Sequence, residues 1–118
     1  MSNKLLIIEA LLYYSKDLID LSNNKDGDLS NDLIQDCVNE HNQCNSIIRR
    51  FSKEDEIDLN QIREGDQSEC ALIKSALFEY STSDDVQNDS NLHTFIIMVI
   101  AHLDKWAMEN SHIKVLLE

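Results

Sequence analysis

Proline is absent from the 118 residues, and glycine occurs only at Gly27 and Gly65. These residues usually punctuate hairpins and tight loops, so their scarcity argues against an all-β fold. Basic side chains are also few, 10 Lys and Arg against 22 Asp and Glu, for a formal charge of −12. Such a field repels nucleic-acid phosphate and anionic lipid and argues against direct binding of either. The three cysteines are odd in number and lack framework spacing, which points to free thiols in a reducing compartment, with cytoplasm as the expected location. Long apolar runs are missing too. The most apolar stretch, Phe95 to Ala101, has seven residues, where a membrane span needs roughly 20. Near the N-terminus the run Leu5-Leu6-Ile7-Ile8 is interrupted by Glu9, and no small-residue cleavage site follows, so no signal peptide is expected.

What is present is an apolar fraction of 42%, ordinary for a globular chain. The length suits one core, and residues 1–118 are read as a single acidic helical domain. The periodicity predicts an all-α bundle of about five helices around a central, apolar C-terminal helix. A first helix is predicted from Asn3 to Leu21, with a stripe of Leu5, Ile8, Leu11 or Leu12, Ser15, Leu18 and Ile19. A polar, turn-forming segment from Ser22 to Asp28 ends it. The second helix has the clearest pattern, with Leu33, Ile34, Cys37, His41, Cys44, Ile47, Ile48 and Phe51 on one face. Ser30 or Asn31 can cap it, with Asp32 and Asp36 early and Arg49 and Arg50 late, as the helix dipole favours.

Ser52 followed by Asp55 resembles a capping pair and predicts a short surface helix over Lys53 to Arg63, with only Ile57, Leu59 and Ile62 apolar. A fourth helix, Gln67 to Tyr80, presents Cys70, Ile73, Ala76, Leu77 and Tyr80 inward. Ser81 to Asn91, with Val86 its only apolar residue, reads as a mobile, solvated loop. The last long helix is expected to begin near Leu92, capped by Ser90 or Asn91, and to run through Leu103, Trp106 and Ala107, buried because it is apolar nearly all round. A buried strand over His93 to Ala101 competes, since that stretch is rich in β-branched residues, but no partner strand is visible. The tail from Ser111 to Glu118 either continues this helix beyond a kink or docks separately.

Few motifs carry chemistry. Cys37, His41 and Cys44 share a helical face and would suit a soft metal, but a structural zinc site needs a fourth ligand that nothing indicates, and buried cysteine behaves as a small hydrophobe. They are read as core, and no metal or cofactor is expected. Asp26, Asp28, Ser30 and Asp32 alternate like a calcium loop, yet the required glycine and glutamate positions hold Asn31 and Cys37. His93 and His102 lie nine residues apart on opposite faces and cannot share a ligand. No nucleophile elbow, glycine-rich phosphate loop or zinc-protease spacing occurs. No catalytic residue is assigned, and the chain is not expected to be an enzyme.

The charge distribution is the informative feature. Residues 17 to 40 hold one basic residue, Lys25, and residues 54 to 89 hold only Arg63 and Lys74. A continuous negative surface assembled from these stretches would suit a basic protein partner, whose phosphate-binding positions carboxylates can occupy. The chain is therefore expected to neutralise such a partner, as an immunity protein, antitoxin or phage-type inhibitor does, through Asp55, Glu56, Asp58, Asp84 and Asp85. The alternative is a self-associating structural or regulatory protein, a possible homodimer, with Trp106, Met108, Ile113, Leu116 and Leu117 as its seam.

Overall fold

A computed structural model describes residues 1–23 and 30–104 of the chain. Among these residues there are six α-helices and no strand: α1 (Asn3–Ser22), α2 (Asn31–Ser52), α3 (Leu59–Glu64), α4 (Gln67–Ser81), α5 (Asp84–Gln87) and α6 (Ser90–Leu103). The fold is all-α, and His93 to Ala101 is helix rather than strand. The helices fall into two compact units, Met1–Glu56 and Ile57–Glu118. No described helix is long and apolar enough to cross a membrane.

With no proline to start helices, side-chain oxygens do so. The first free amides of a helix have no partner within it, and a Ser or Asp at the N-cap supplies one. Ser2 Oγ accepts from the Leu5 amide at 3.1 Å and Ser30 Oγ from the Leu33 amide at 3.3 Å. Asp58 accepts from Asn60 at 2.9 Å, Asp66 from Ser68 and Glu69 at 2.9 and 3.3 Å, and Asp89 from Leu92 at 3.1 Å. The cap of α6 is thus Asp89, not Ser90 or Asn91.

In the first unit α1 and α2 pack against each other. They run antiparallel. Lys4 Nζ donates to the carbonyls of Ser52 and Glu54 at 3.5 and 2.5 Å, while farther along α1 Tyr14 and Ser15 meet Glu40 and His41. The buried residues of α1 are Leu6, Ile7, Ala10, Leu11, Ser15 and Leu18, so Leu11, Ser15 and Leu18 of the predicted stripe are inside, while Leu5 at its start is exposed and Leu6 takes its place. Leu5 and Leu6 are equally apolar, and periodicity alone does not choose between them. On α2 the predicted face is buried at Cys44, Ile47 and Phe51 and half-buried at Cys37 and His41, but Leu33 at its start is exposed.

In the second unit α3, α4 and α5 all pack on α6, which is its central helix. Cys70, Leu72, Ile73, Ala76 and Leu77 of α4 are buried with Ile96, Val99 and Leu103 of α6. Ser81 to Asn91 is not a loop. It contains α5, whose Val86 is fully buried, and the first turn of α6. One apolar side chain in a polar segment is enough to pin a turn when it enters the core. The predicted helix over Lys53 to Arg63 shrinks to Leu59–Glu64 because Ser52 still belongs to α2 and donates to the Ile48 carbonyl at 2.6 Å instead of capping a new helix. Gly65 ends α3 where a Cβ would lie 2.8 Å from the Gln61 carbonyl oxygen, so no larger residue fits without a backbone shift.

Two features of α6 depart from expectation. It ends at Leu103, with Asp104 extended. The carbonyls that another turn would use are taken: His102 O accepts from Arg63 Nη1 at 3.3 Å and Leu103 O from Cys70 Sγ at 3.6 Å. Trp106 and the tail lie outside the described residues. Nor is α6 buried all round, since Ile97 is 46% and Met98 66% exposed.

Adjacent residues of α4 provide a test of this register. Leu77 is fully buried and Phe78 is 61% exposed. Leu77→Ala is expected to cost about 2–5 kcal/mol through lost burial and a residual cavity, whereas Phe78→Ala stays within about 0.5 kcal/mol of wild type. Urea unfolding of the two variants measures the contrast.

Candidate functional site

The five carboxylates predicted to meet a partner are all exposed. Asp55 and Glu56 lie between α2 and α3, outside any helix, in the first unit. Asp58, Asp84 and Asp85 belong to the second. Asp58 also holds the α3 amide described above, so part of its hydrogen-bonding capacity is spent on the fold. Asp84 and Asp85 form the first turn of α5, where the helix dipole favours negative charge, and buried Val86 beside them fixes that turn.

Between Ile57 and Asp104 the sequence has nine acidic side chains and two basic ones, Arg63 and Lys74. Arg63 is half-buried and committed, its Nε to Glu64 at 3.1 Å and its Nη1 to the His102 carbonyl. His102 Nε2 in turn lies 2.9 Å from Asn60 Oδ1. One of the two basic residues is thereby spent locally, and the unit keeps a strong negative excess.

The Cys37, His41, Cys44 face of α2 does a different job. Asn45 Nδ2 donates to His41 Nε2 at 3.1 Å, which leaves Nδ1 as the protonated ring nitrogen, facing the Ser15 carbonyl at 3.0 Å and the Ser15 hydroxyl at 2.6 Å. Ser15 is only 4% exposed. A nucleophile must meet its substrate, and this hydroxyl is sealed between helices, so the Ser15, His41, Asn45 chain is a structural clasp between α1 and α2. With both ring nitrogens engaged, His41 has no lone pair to offer an ion, and among the described residues no three His, Cys, Asp or Glu groups stand close enough to hold a metal. Asp26, Asp28 and His112 lie outside those residues, and His93 is half-buried.

The sequence pattern placed His41 and Ser15 each in an apolar stripe without pairing them. A polar residue midway along each of two adjoining stripes was the available signal. All three cysteines are free thiols. Burial, with Glu40 adding to it, pushes the Cys44 thiol up from 9.0 to about 11, and burial also raises that of Cys70. The chain matches no protein-family model, no curated protein and no solved structure.

Three outcomes follow. His41→Leu should destabilise the protein by about 1–3 kcal/mol by orphaning the buried Ser15 hydroxyl, and adding Ser15→Ala should restore part of the loss, because the buried hydroxyl is then gone as well. A double-mutant cycle in urea reads this. Half-buried Cys37 should react with a thiol reagent in the native protein, while Cys44 and Cys70 react only on unfolding. Because folding raises the Cys44 value, its stabilising contribution is present below pH 9.0 and is lost as pH climbs toward about 11. Alkaline titration of unfolding should show that decline and lose it in Cys44→Ala.

Proposed function

We propose that the chain is a non-catalytic binding protein that neutralises a basic protein partner, in the manner of an immunity protein, an antitoxin or a phage-type inhibitor of a nuclease or nucleic-acid-binding complex. The observation that carries this reading is the acidic excess of residues 57–104, nine carboxylates against two basic side chains, Arg63 and Lys74. A preformed negative surface steers a cationic partner and suppresses acidic ones, and it requires no chemistry of its own. Asp55, Glu56, Asp58, Asp84 and Asp85 are the residues assigned to contact, all exposed. The short helix that carries Asp84 and Asp85 is anchored by buried Val86, so these two charges need little ordering on binding.

The test is capture from source-cell lysate by the immobilised chain at low and high salt, with captured proteins identified by mass spectrometry. The expected result is a basic protein released by salt, whose affinity falls about tenfold when Asp84 and Asp85 are both changed to Lys. A partner that resists salt, or binds equally well after charge reversal at the five positions, refutes the reading.

A further inference from the structure

The side chains that α1 and α2 bury are apolar with one exception. Leu6, Ile7, Ala10, Leu11 and Leu18 are buried on α1, and Cys44, Ile47 and Phe51 on α2, while Ser15 is the only polar side chain among the buried residues of α1. Apolar burial is non-directional and by itself does little to fix which residue of one helix stands opposite which residue of the other. The Ser15 contact is directional. Its hydroxyl lies 2.6 Å and its carbonyl 3.0 Å from His41 Nδ1, and Asn45 Nδ2 lies 3.1 Å from Nε2 of the same ring.

We infer that the Ser15–His41 contact is a register device, which selects one alignment of α1 on α2 and rejects those displaced by a helical turn. It concerns the uniqueness of the packing, beyond its stability, and is independent of any partner. A displacement of one turn, about 5.4 Å, brings residues three or four positions away opposite each member of the pair. His41 would then stand near Leu11 or Leu18, and Ser15 near Cys37 or Cys44, so both polar groups would lose their partner while the apolar side chains exchanged places at little loss. A buried polar group left unpaired costs roughly tenfold in population, and two disfavour the displaced alignment by roughly a hundredfold. The other links between the two helices discriminate less. Lys4 reaches the Ser52 and Glu54 carbonyls at an exposed end, and Tyr14 meets Glu40 only at 3.5 Å. Fixing alignment at a cost in stability is the best attested use of a buried polar residue between helices.

The test measures the alignment directly in the full chain. Nitroxide labels are placed at two exposed positions far apart along the antiparallel pair, Leu5→Cys on α1 and Asp36→Cys on α2, with Cys37→Ser to remove the half-buried thiol; Cys44 and Cys70 are buried and stay unlabelled. Electron–electron double resonance then gives the distance between the labels, with and without Ser15→Ala and His41→Leu together. With Ser15 and His41 in place the expected result is a single distance. Without them a second distance, different by about 5 Å, should appear in on the order of a tenth or more of the molecules, at unchanged helicity by circular dichroism. A single, unchanged distance in the double variant would overturn the inference and leave the clasp as a source of stability alone. Loss of helicity in that variant would overturn it as well, because the apolar residues must hold the two helices together without the clasp for a choice of register to exist.

Discussion

A side-chain oxygen accepting from an amide two or three residues later sets the start of five of the six described helices. The rest of the structure depends on these caps. A chain with no proline and two glycines has few other ways to fix where a helix begins, and a helix that starts one residue early or late turns its whole face. The caps also sort the acidic residues into two kinds. Asp58, Asp66 and Asp89 spend hydrogen-bonding capacity on backbone amides, although their side chains are exposed, whereas Asp55, Glu56, Asp84 and Asp85 cap no helix. Composition alone counts all of them equally.

Much of the fold was legible because it depends on period. The helical class, the extents of the first, second and fourth helices within a residue or two, and the buried faces of Cys44 to Phe51 and Cys70 to Leu77 all follow from apolar spacing. What was not legible depends on single tertiary contacts. Val86 turns a polar stretch into α5 by reaching the core, and nothing within residues 81–91 announces that a core lies there to receive it. Arg63 and Cys70 close α6 at Leu103 from 30 or more residues away in sequence. Misplacing Leu5 at the start of the α1 stripe has another cause: Leu5 and Leu6 are equally apolar, as are Leu11 and Leu12, so only the packing against α2 selects between them.

The candidate site was legible as a charge imbalance and not as an arrangement. Counting residues found the acidic stretch and named carboxylates that prove to be exposed, since a charged side chain with no partner is rarely buried. It missed the exposure of Ile97 and Met98 on α6, because a helix rich in Ile and Met reads as wholly interior. It read His41 as a core residue of the α2 stripe and did not show that Ser15 and Asn45 occupy both nitrogens of its ring. In both cases the missing information was which residue stood opposite.

The scarcity of basic residues between Ile57 and Asp104 reaches beyond electrostatics. Proteases of tryptic specificity cut after Lys or Arg and need several residues of local chain in extended form. Between Ile57 and Asp104 they find two sites, Arg63 within α3 and Lys74 within α4, both half-buried in helices and the former tied down by two hydrogen bonds. Among the described residues the nearest exposed site is Lys53, just past the end of α2, in the first unit. A digest of the native protein would therefore open at such exposed basic positions long before it entered the stretch from Ile57 to Asp104. The same shortage of Lys and Arg that makes this stretch acidic leaves it without an exposed tryptic site.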